Sequence, residues 1–145
     1  MKQFWSVLGA VLMVSLVNAQ DLGASRLEAA FSPAELAAMD QSQSDQLAFW
    51  SLNGWQFIVD AKVSDEMLDI ADLTPKSNAP ALTSENFNPE TFNPLLYSVK
   101  LSDDKPTYYR VGDKGVLFFF SNDRFSVINE RNKVNQAAAA NRQAK

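Results

Sequence analysis

Three consecutive phenylalanines, Phe118 to Phe120, constrain the fold of this chain more than any other feature of its sequence. They lie in the segment Val116–Ser121, which is rich in residues that favour β-strands. Successive side chains of a strand point to opposite faces of its sheet, so three adjacent aromatic residues place rings on both faces. The fold must therefore cover both faces or leave aromatic surface exposed on one of them.

The sequence before these phenylalanines predicts that they end a three-stranded antiparallel meander. Apolar and polar residues alternate in the segments 95–101 and 107–111. The turn-forming stretches SDDKP and GDKG connect these two segments to each other and to the phenylalanine strand.

The length of the second turn decides which side chains of the meander share a face. If Asp113 and Lys114 form a two-residue tip, Gly112 pairs with Gly115. One face is then almost wholly apolar and is the predicted core face: Tyr97, Val99, Leu101, Thr107, Tyr109, Val111, Val116, Phe118 and Phe120. The other face is amphipathic, with two cations among aromatic and aliphatic side chains: Ser98, Lys100, Tyr108, Arg110, Leu117 and Phe119.

Helices are predicted before the sheet. Ser32 and Glu35 have the spacing of a capping box around Pro33. The segment Ser44–Asp60 favours a helix followed by a strand, although its Asn-Gly pair is also typical of a β-hairpin. Acidic residues at the start of 64–71 indicate a short helix there.

These elements together predict a single α+β domain over residues 20–134. The N-terminal helices are expected to pack on an antiparallel sheet of about four strands. The remainder, residues 135–145, is polar and alanine-rich, and we expect it to be a mobile tail.

A proline-rich loop over residues 74–94 interrupts the regular structure. It contains the sequence Phe-Asn-Pro twice, with Phe87 and Phe92 as the aromatic members. One interpretation is a recognition loop that binds through these rings. The other is that both rings fix the loop onto the core.

The first 19 residues have the pattern of a secretory signal peptide. Met1 and Lys2 precede an apolar run, which ends at the small-residue sequence Val-Asn-Ala. An uncleaved anchor is the alternative, but the run is shorter than the ~20 residues of a spanning helix. We expect cleavage after Ala19 and a periplasmic or secreted protein with no integral membrane segment.

Charge and composition exclude several classes of function. The chain has 13 Lys and Arg against 17 Asp and Glu; loss of Lys2 with the leader leaves 12 against 17, a net charge of −5. Such a chain is poorly suited to nucleic acid. It has no histidine and no cysteine, which removes the usual proton-transfer, thiolate and zinc chemistries, and no phosphate-loop or dinucleotide motif occurs. The sequence therefore predicts no enzyme activity, no cofactor and no metal.

Two kinds of binding function remain. The first is a non-catalytic binding or accessory protein of the bacterial cell envelope, whose candidate residues lie on the amphipathic face or in the loop: Lys100, Arg110, Tyr108, Phe119, Phe87 and Phe92. Its partner would be an envelope protein. The alternative is a periplasmic carrier that holds a small apolar ligand between helices and sheet. The amphipathic face also has a simpler interpretation, in which long side chains or the C-terminal helix cover it and nothing binds there.

Overall fold

The computed structural model describes residues 21–62, 64–76 and 78–143. The leader predicted for residues 1–19 lies outside this range, as do the last two residues of the predicted tail. Within the described residues, no helix combines the length and the hydropathy that a membrane crossing requires.

The chain divides into two compact units, and the boundary between them lies between Ala48 and Phe49. In the first unit, helix α1 is described over residues 21–30, and α2 covers Pro33–Ala38. The Ser32 hydroxyl accepts a hydrogen bond from the Glu35 N–H at 3.2 Å, and the Glu35 carboxylate accepts one from the Ser32 N–H at 3.1 Å. The hydrogen bond from the Ser32 N–H, together with the nearby Ser32 hydroxyl, lowers the pKa of the Glu35 carboxyl below its ordinary value. The predicted capping box is confirmed.

Helix α3, Gln41–Asn53, leads into strand β1, Trp55–Val59, through Gly54 alone. The prediction of a helix followed by a strand is confirmed, and the alternative hairpin does not form. Gly54 suits this junction because its backbone lies against Trp50: a Cβ at this position would overlap the indole ring.

Four strands form the main sheet, in the order β1-β6-β5-β2. Besides β1 they are β2, Leu68–Asp69, β5, Thr107–Val111, and β6, Gly115–Phe119. The α+β class and the number of strands agree with the sequence prediction. The sheet is mixed rather than antiparallel, because β2 runs parallel to β5.

The predicted register of the β5–β6 hairpin is wrong by one residue. Val111 pairs with Gly115, so Gly112, Asp113 and Lys114 form a three-residue loop, and the Lys114 N–H donates to the Val111 carbonyl at 3.0 Å. The left-handed backbone of Gly112, with φ of 51°, forms the first position of this loop. Every side chain of β6 therefore lies on the face opposite to the predicted one.

The predicted meander is also incorrect at its first strand. Strand β4, Tyr97–Ser98, pairs with β3, Thr74–Pro75, in a separate two-stranded sheet. A 3-10 helix, Pro94–Leu96, precedes β4, and Pro94 and Leu95 are buried in it. Residues 99–106 then lead to β5 without regular structure.

The short helix predicted for residues 64–71 does not form. This segment contains a turn at residues 65–66, followed by β2 and by a 3-10 helix, Ile70–Asp72. Asp69 caps that 3-10 helix by accepting a hydrogen bond from the Ala71 N–H at 3.0 Å. The acidic residues thus belong to turns and caps, which use the same residue types as a helix start.

The proline-rich loop covers the core face of the main sheet in the second unit. Phe87 and Phe92 are buried in the core, and the hydroxyl of Tyr97 donates to the Pro80 carbonyl at 2.8 Å. Trp50, from the last turns of α3, adds a ring that stacks on Phe119 at 6.1 Å. The buried core cluster comprises Ile70, Leu73, Leu82, Phe87, Phe92, Tyr97, Tyr109, Val111, Leu117 and Phe119.

Helix α4, Asn122–Gln143, begins shortly after β6 at an Asn-Asp sequence, residue types that favour helix starts. The Asn122 N–H donates to the Ser102 carbonyl at 2.9 Å, and its side-chain amide donates to the Asp103 carboxylate at 2.8 Å. Phe125 packs on Phe49, with ring centroids 5.8 Å apart. The helix continues through the alanine-rich segment, since alanine favours helix more than any other residue. The mobility expected for residues 135–145 stays a prediction.

Candidate functional site

The face of the main sheet that points away from the proline-rich loop carries the exposed residues of interest. Residues that pair across neighbouring strands share a face, so the register determines its membership. We call it the outer face, and it comprises Gln56, Ile58, Tyr108, Arg110, Val116 and Phe118.

An aromatic pair lies at the centre of the outer face. Tyr108 of β5 is opposite Phe118 of β6, and their rings stack at 5.6 Å with an interplanar angle of 29°. Phe120 meets Phe118 edge to face at 4.7 Å. Such pairs stabilise a sheet by roughly 0.5–1.5 kcal/mol beyond the area they bury. Tyr108 nevertheless keeps 40% of its surface exposed, so aromatic surface is available for contact.

Aliphatic side chains continue the outer face beside this pair. Val116 lies between its two partners, Ile58 on β1 and Arg110 on β5, and is buried. Ile58 is 45% exposed. Ile58 and Tyr108 thus lie on the same face but on the two strands that flank β6, with the apolar side chains of Val116 and Phe118 between them.

Arg110 does not present an unpaired cation. Its guanidinium lies 3.3 Å from the carboxylate of Asp69, its partner residue on β2, and both side chains are 44% exposed. An ion pair this exposed contributes about 0–1 kcal/mol to stability. Asp69 thus neutralises the positive charge of a residue that the sequence analysis placed among the binding candidates.

Lys100 lies outside the main sheet, whereas the predicted register placed it with Arg110 on the amphipathic face. Its backbone packs near the core side of β5: the Lys100 N–H donates to the Tyr109 hydroxyl at 3.2 Å, and the Thr107 hydroxyl donates to the Lys100 carbonyl at 2.7 Å. The reason is that β4 pairs with β3 and not with β5. The two cations of the predicted site are therefore separated.

Phe119, Phe87 and Phe92 belong to the core and not to an accessible surface. Phe119 is fully buried, because the one-residue change in register turns it inward; Leu117, also predicted for the amphipathic face, is buried with it. Phe92 contacts four rings at centroid distances of 5.1 to 6.4 Å, those of Trp55, Phe87, Tyr97 and Phe119. These contacts support the interpretation in which the phenylalanines fix the loop onto the core.

The titratable groups in the core have structural roles. Burial raises the pKa of Tyr109, whose hydroxyl accepts the Lys100 N–H, and burial likewise raises the pKa of Tyr97. Both phenols therefore stay protonated near neutral pH. In the part of the chain that is described, no three acidic, histidine or cysteine residues are close enough to hold a metal ion.

Sequence reasoning placed Tyr108 and Arg110 together and missed the other four residues of the outer face as well as Asp69. Ile58 could have been added, since the alternation of β1 already separated it from Trp55 and Phe57. Placing Phe118 on this face required the correct length of the β5–β6 loop, which has three residues and not two. Asp69 is 41 residues from Arg110 in the sequence. The two residues meet because β2 pairs in parallel with β5, and no local sequence pattern predicts this pairing.

Comparison with protein-family models, with curated proteins and with solved structures gave no match. The function therefore has to be argued from the site alone.

Proposed function

We propose that this protein is an exported, non-catalytic binding or accessory protein of the bacterial cell envelope, and that its outer face binds a partner protein. The observation that carries this proposal is the stacked pair of Tyr108 and Phe118, which leaves Tyr108 40% exposed on the same face of the sheet as the exposed Ile58. Tyrosine, phenylalanine and arginine are enriched in protein interfaces, and lysine and acidic residues are depleted at their centres.

The size of the patch indicates how much of the interface it supplies. Covering on the order of 200 Å² of apolar surface on this face contributes about 5 kcal/mol at ~25 cal/mol/Å². Association costs about 4 kcal/mol or more in lost freedom. The patch is therefore the centre of an interface whose partner must also contact surrounding residues, and the Arg110–Asp69 pair is positioned to orient it.

The chemistry of the chain supports a binding role. The 145 residues include no histidine and no cysteine, so the side chains that most often move protons or attack substrates near neutral pH are missing from them. The acidic net charge favours a protein partner over nucleic acid.

The filled core favours a partner protein over the alternative function, a carrier of a small apolar ligand. A carrier needs a cavity of a few hundred Å³ beside its sheet. Between the main sheet and the loop, Phe57 contacts Phe87 at 5.3 Å, Phe87 contacts Phe92 at 5.3 Å, and Tyr109 contacts Phe119 at 5.8 Å. Mutually packed rings thus fill the core face of the sheet, which the loop covers in place of the helices that the carrier would use to enclose its ligand.

Site-specific photocrosslinking tests the proposal. A benzophenone amino acid replaces Tyr108 in one variant and Val127 of α4 in the control, because the two residues have nearly the same exposure, 40% and 43%. After irradiation of the cells that make the protein, we expect a defined protein adduct at position 108 and none at 127. Adducts at neither position, or at both equally, would contradict the proposal. A lipid found by mass spectrometry on the purified protein would favour the carrier.

A further inference from the structure

We propose that two copies of this chain pair through the free edge of β1. This edge is the side of the strand that faces away from β6. The proposal goes beyond partner binding by the outer face, since it uses backbone groups that the outer face does not include.

The hydrogen bonds around β1 show which backbone groups point to the free edge. The Phe120 N–H donates to the Gly54 carbonyl at 3.0 Å, and the Asp60 N–H donates to the Lys114 carbonyl at 3.2 Å. Bonding alternates along an antiparallel strand, so the N–H and C=O groups of Trp55, Phe57 and Val59 point away from β6. Among the described residues, β1 pairs with no strand other than β6.

The free edge lacks two of the features that normally protect such edges, a charged residue and a proline. Natural proteins shield edge strands with charged residues, proline, bulges or a covering element. The sequence of β1, Trp-Gln-Phe-Ile-Val, contains neither a charge nor a proline. Its end is open to solvent, with Val59 65% exposed.

A second copy of the same strand suits this edge by symmetry. In a two-fold antiparallel pairing centred on Phe57, each Trp55 faces Val59 of the other copy, and each Gln56 faces Ile58. The backbone groups of Trp55, Phe57 and Val59 in one copy then form about six hydrogen bonds with those of the other copy. No like charges meet in this register, although the chain is acidic as a whole, and the exposed Val59 gains contact with a tryptophan.

The resulting dimer has one continuous sheet of eight strands, in which the two outer faces lie side by side. Pairing of five-residue edges buries much less than the ~800 Å² per partner of a stable complex. The association is therefore reversible and depends on concentration. It makes a protein that presents two binding faces to its partner.

Sedimentation equilibrium tests the pairing on the protein as the cell produces it. The wild type should show a reversible monomer–dimer equilibrium as the concentration rises. Val59→Lys should raise the dissociation constant of the dimer at least tenfold, while Val134→Lys should leave it unchanged. Val134 is the matched control because both valines are 65% exposed but Val134 lies on α4. A wild type that stays monomeric at every concentration, or an equal effect of the two variants, would overturn the proposal.

Disulfide trapping tests the register itself, because the chain has no cysteine of its own. The Gln56→Cys and Ile58→Cys variants are mixed and oxidised. The crosslink between the two variants should exceed either self-crosslink several-fold, since Gln56 and Ile58 face each other only in this pairing. A mixed crosslink that does not exceed the two self-crosslinks in this way would refute the register, and this test does not depend on how a lysine at position 59 affects folding.

The experiments distinguish failure of the edge pairing from failure of partner binding by the outer face. A loss of dimer with an intact adduct at position 108 would remove only the edge pairing. A dimer without any adduct would remove only the partner protein.

Discussion

Gly112 decides which side chains of β6 reach the core. Its φ of 51° lies in the left-handed region, and a Cβ there would come within 2.7 Å of the Ser84 side chain in the proline-rich loop. Glycine thus allows both the three-residue turn and the close packing of the loop on the hairpin tip. The Lys114 ammonium group reinforces this contact by donating to the Glu85 carbonyl at 3.4 Å.

Gly112→Ala should lower the free energy of unfolding by about 1–3 kcal/mol, since alanine is strained at this φ and would press on Ser84. Asp113→Ala, in the same loop and exposed, is the control and should change stability by less than about 0.5 kcal/mol. Urea denaturation measures both variants. Equal stabilities of the two would show that the loop does not require glycine.

Replacing Lys100 and Arg110 together by alanine should leave the free energy of unfolding within about 1 kcal/mol of the wild type, because exposed ion pairs contribute little. Asp69→Asn is the matched change on the other side of the ion pair. Thermal and urea unfolding provide the measurement. A loss above about 2 kcal/mol in the double variant would mean that these cations support the fold and would weaken the case for a surface role.

At the scale of elements, the sequence predicted those whose signals are local. The capping box of α2 and the passage from α3 to β1 each depend on residues within a few positions of one another. Strands β2, β3 and β4 have two residues each, too few to show alternation. Their pairing depends on contacts distant in sequence, as between Leu68 and Tyr109, which local propensity does not encode.

The register of β6 can be tested with a pair of neighbouring phenylalanines. Phe119→Ala should lower the free energy of unfolding by about 3–5 kcal/mol, because this fully buried ring contacts Trp50, Phe92 and Tyr109. Phe118→Ala should cost clearly less, since Phe118 is only partly buried on the outer face. The two-residue turn predicts the opposite order, so comparative denaturation of the two variants decides between the registers.

At the scale of the whole molecule, the sequence predicted which side chains of β5 share a face better than it predicted the other members of each face. The alternation of β5 correctly placed Tyr108 and Arg110 on one face and Tyr109 and Val111 on the other. Phe87, Phe92 and Phe119 could not be assigned in this way, because an aromatic residue in a loop or a central strand suits a core as well as a surface. Only the packing of the loop on the sheet distinguishes the two.

Export is the property of the whole molecule on which an envelope function depends. We expect the protein in the periplasmic or secreted fraction to begin at Gln20, because small residues precede the predicted cleavage site. Ala19→Arg should prevent cleavage and retain residues 1–19, whereas Ala24→Arg, beyond the site, should not. Intact-mass spectrometry of the fractionated protein distinguishes the two products. An unprocessed wild-type chain that stays with the cytoplasmic fraction would place the outer face out of reach of envelope partners and would end that proposal.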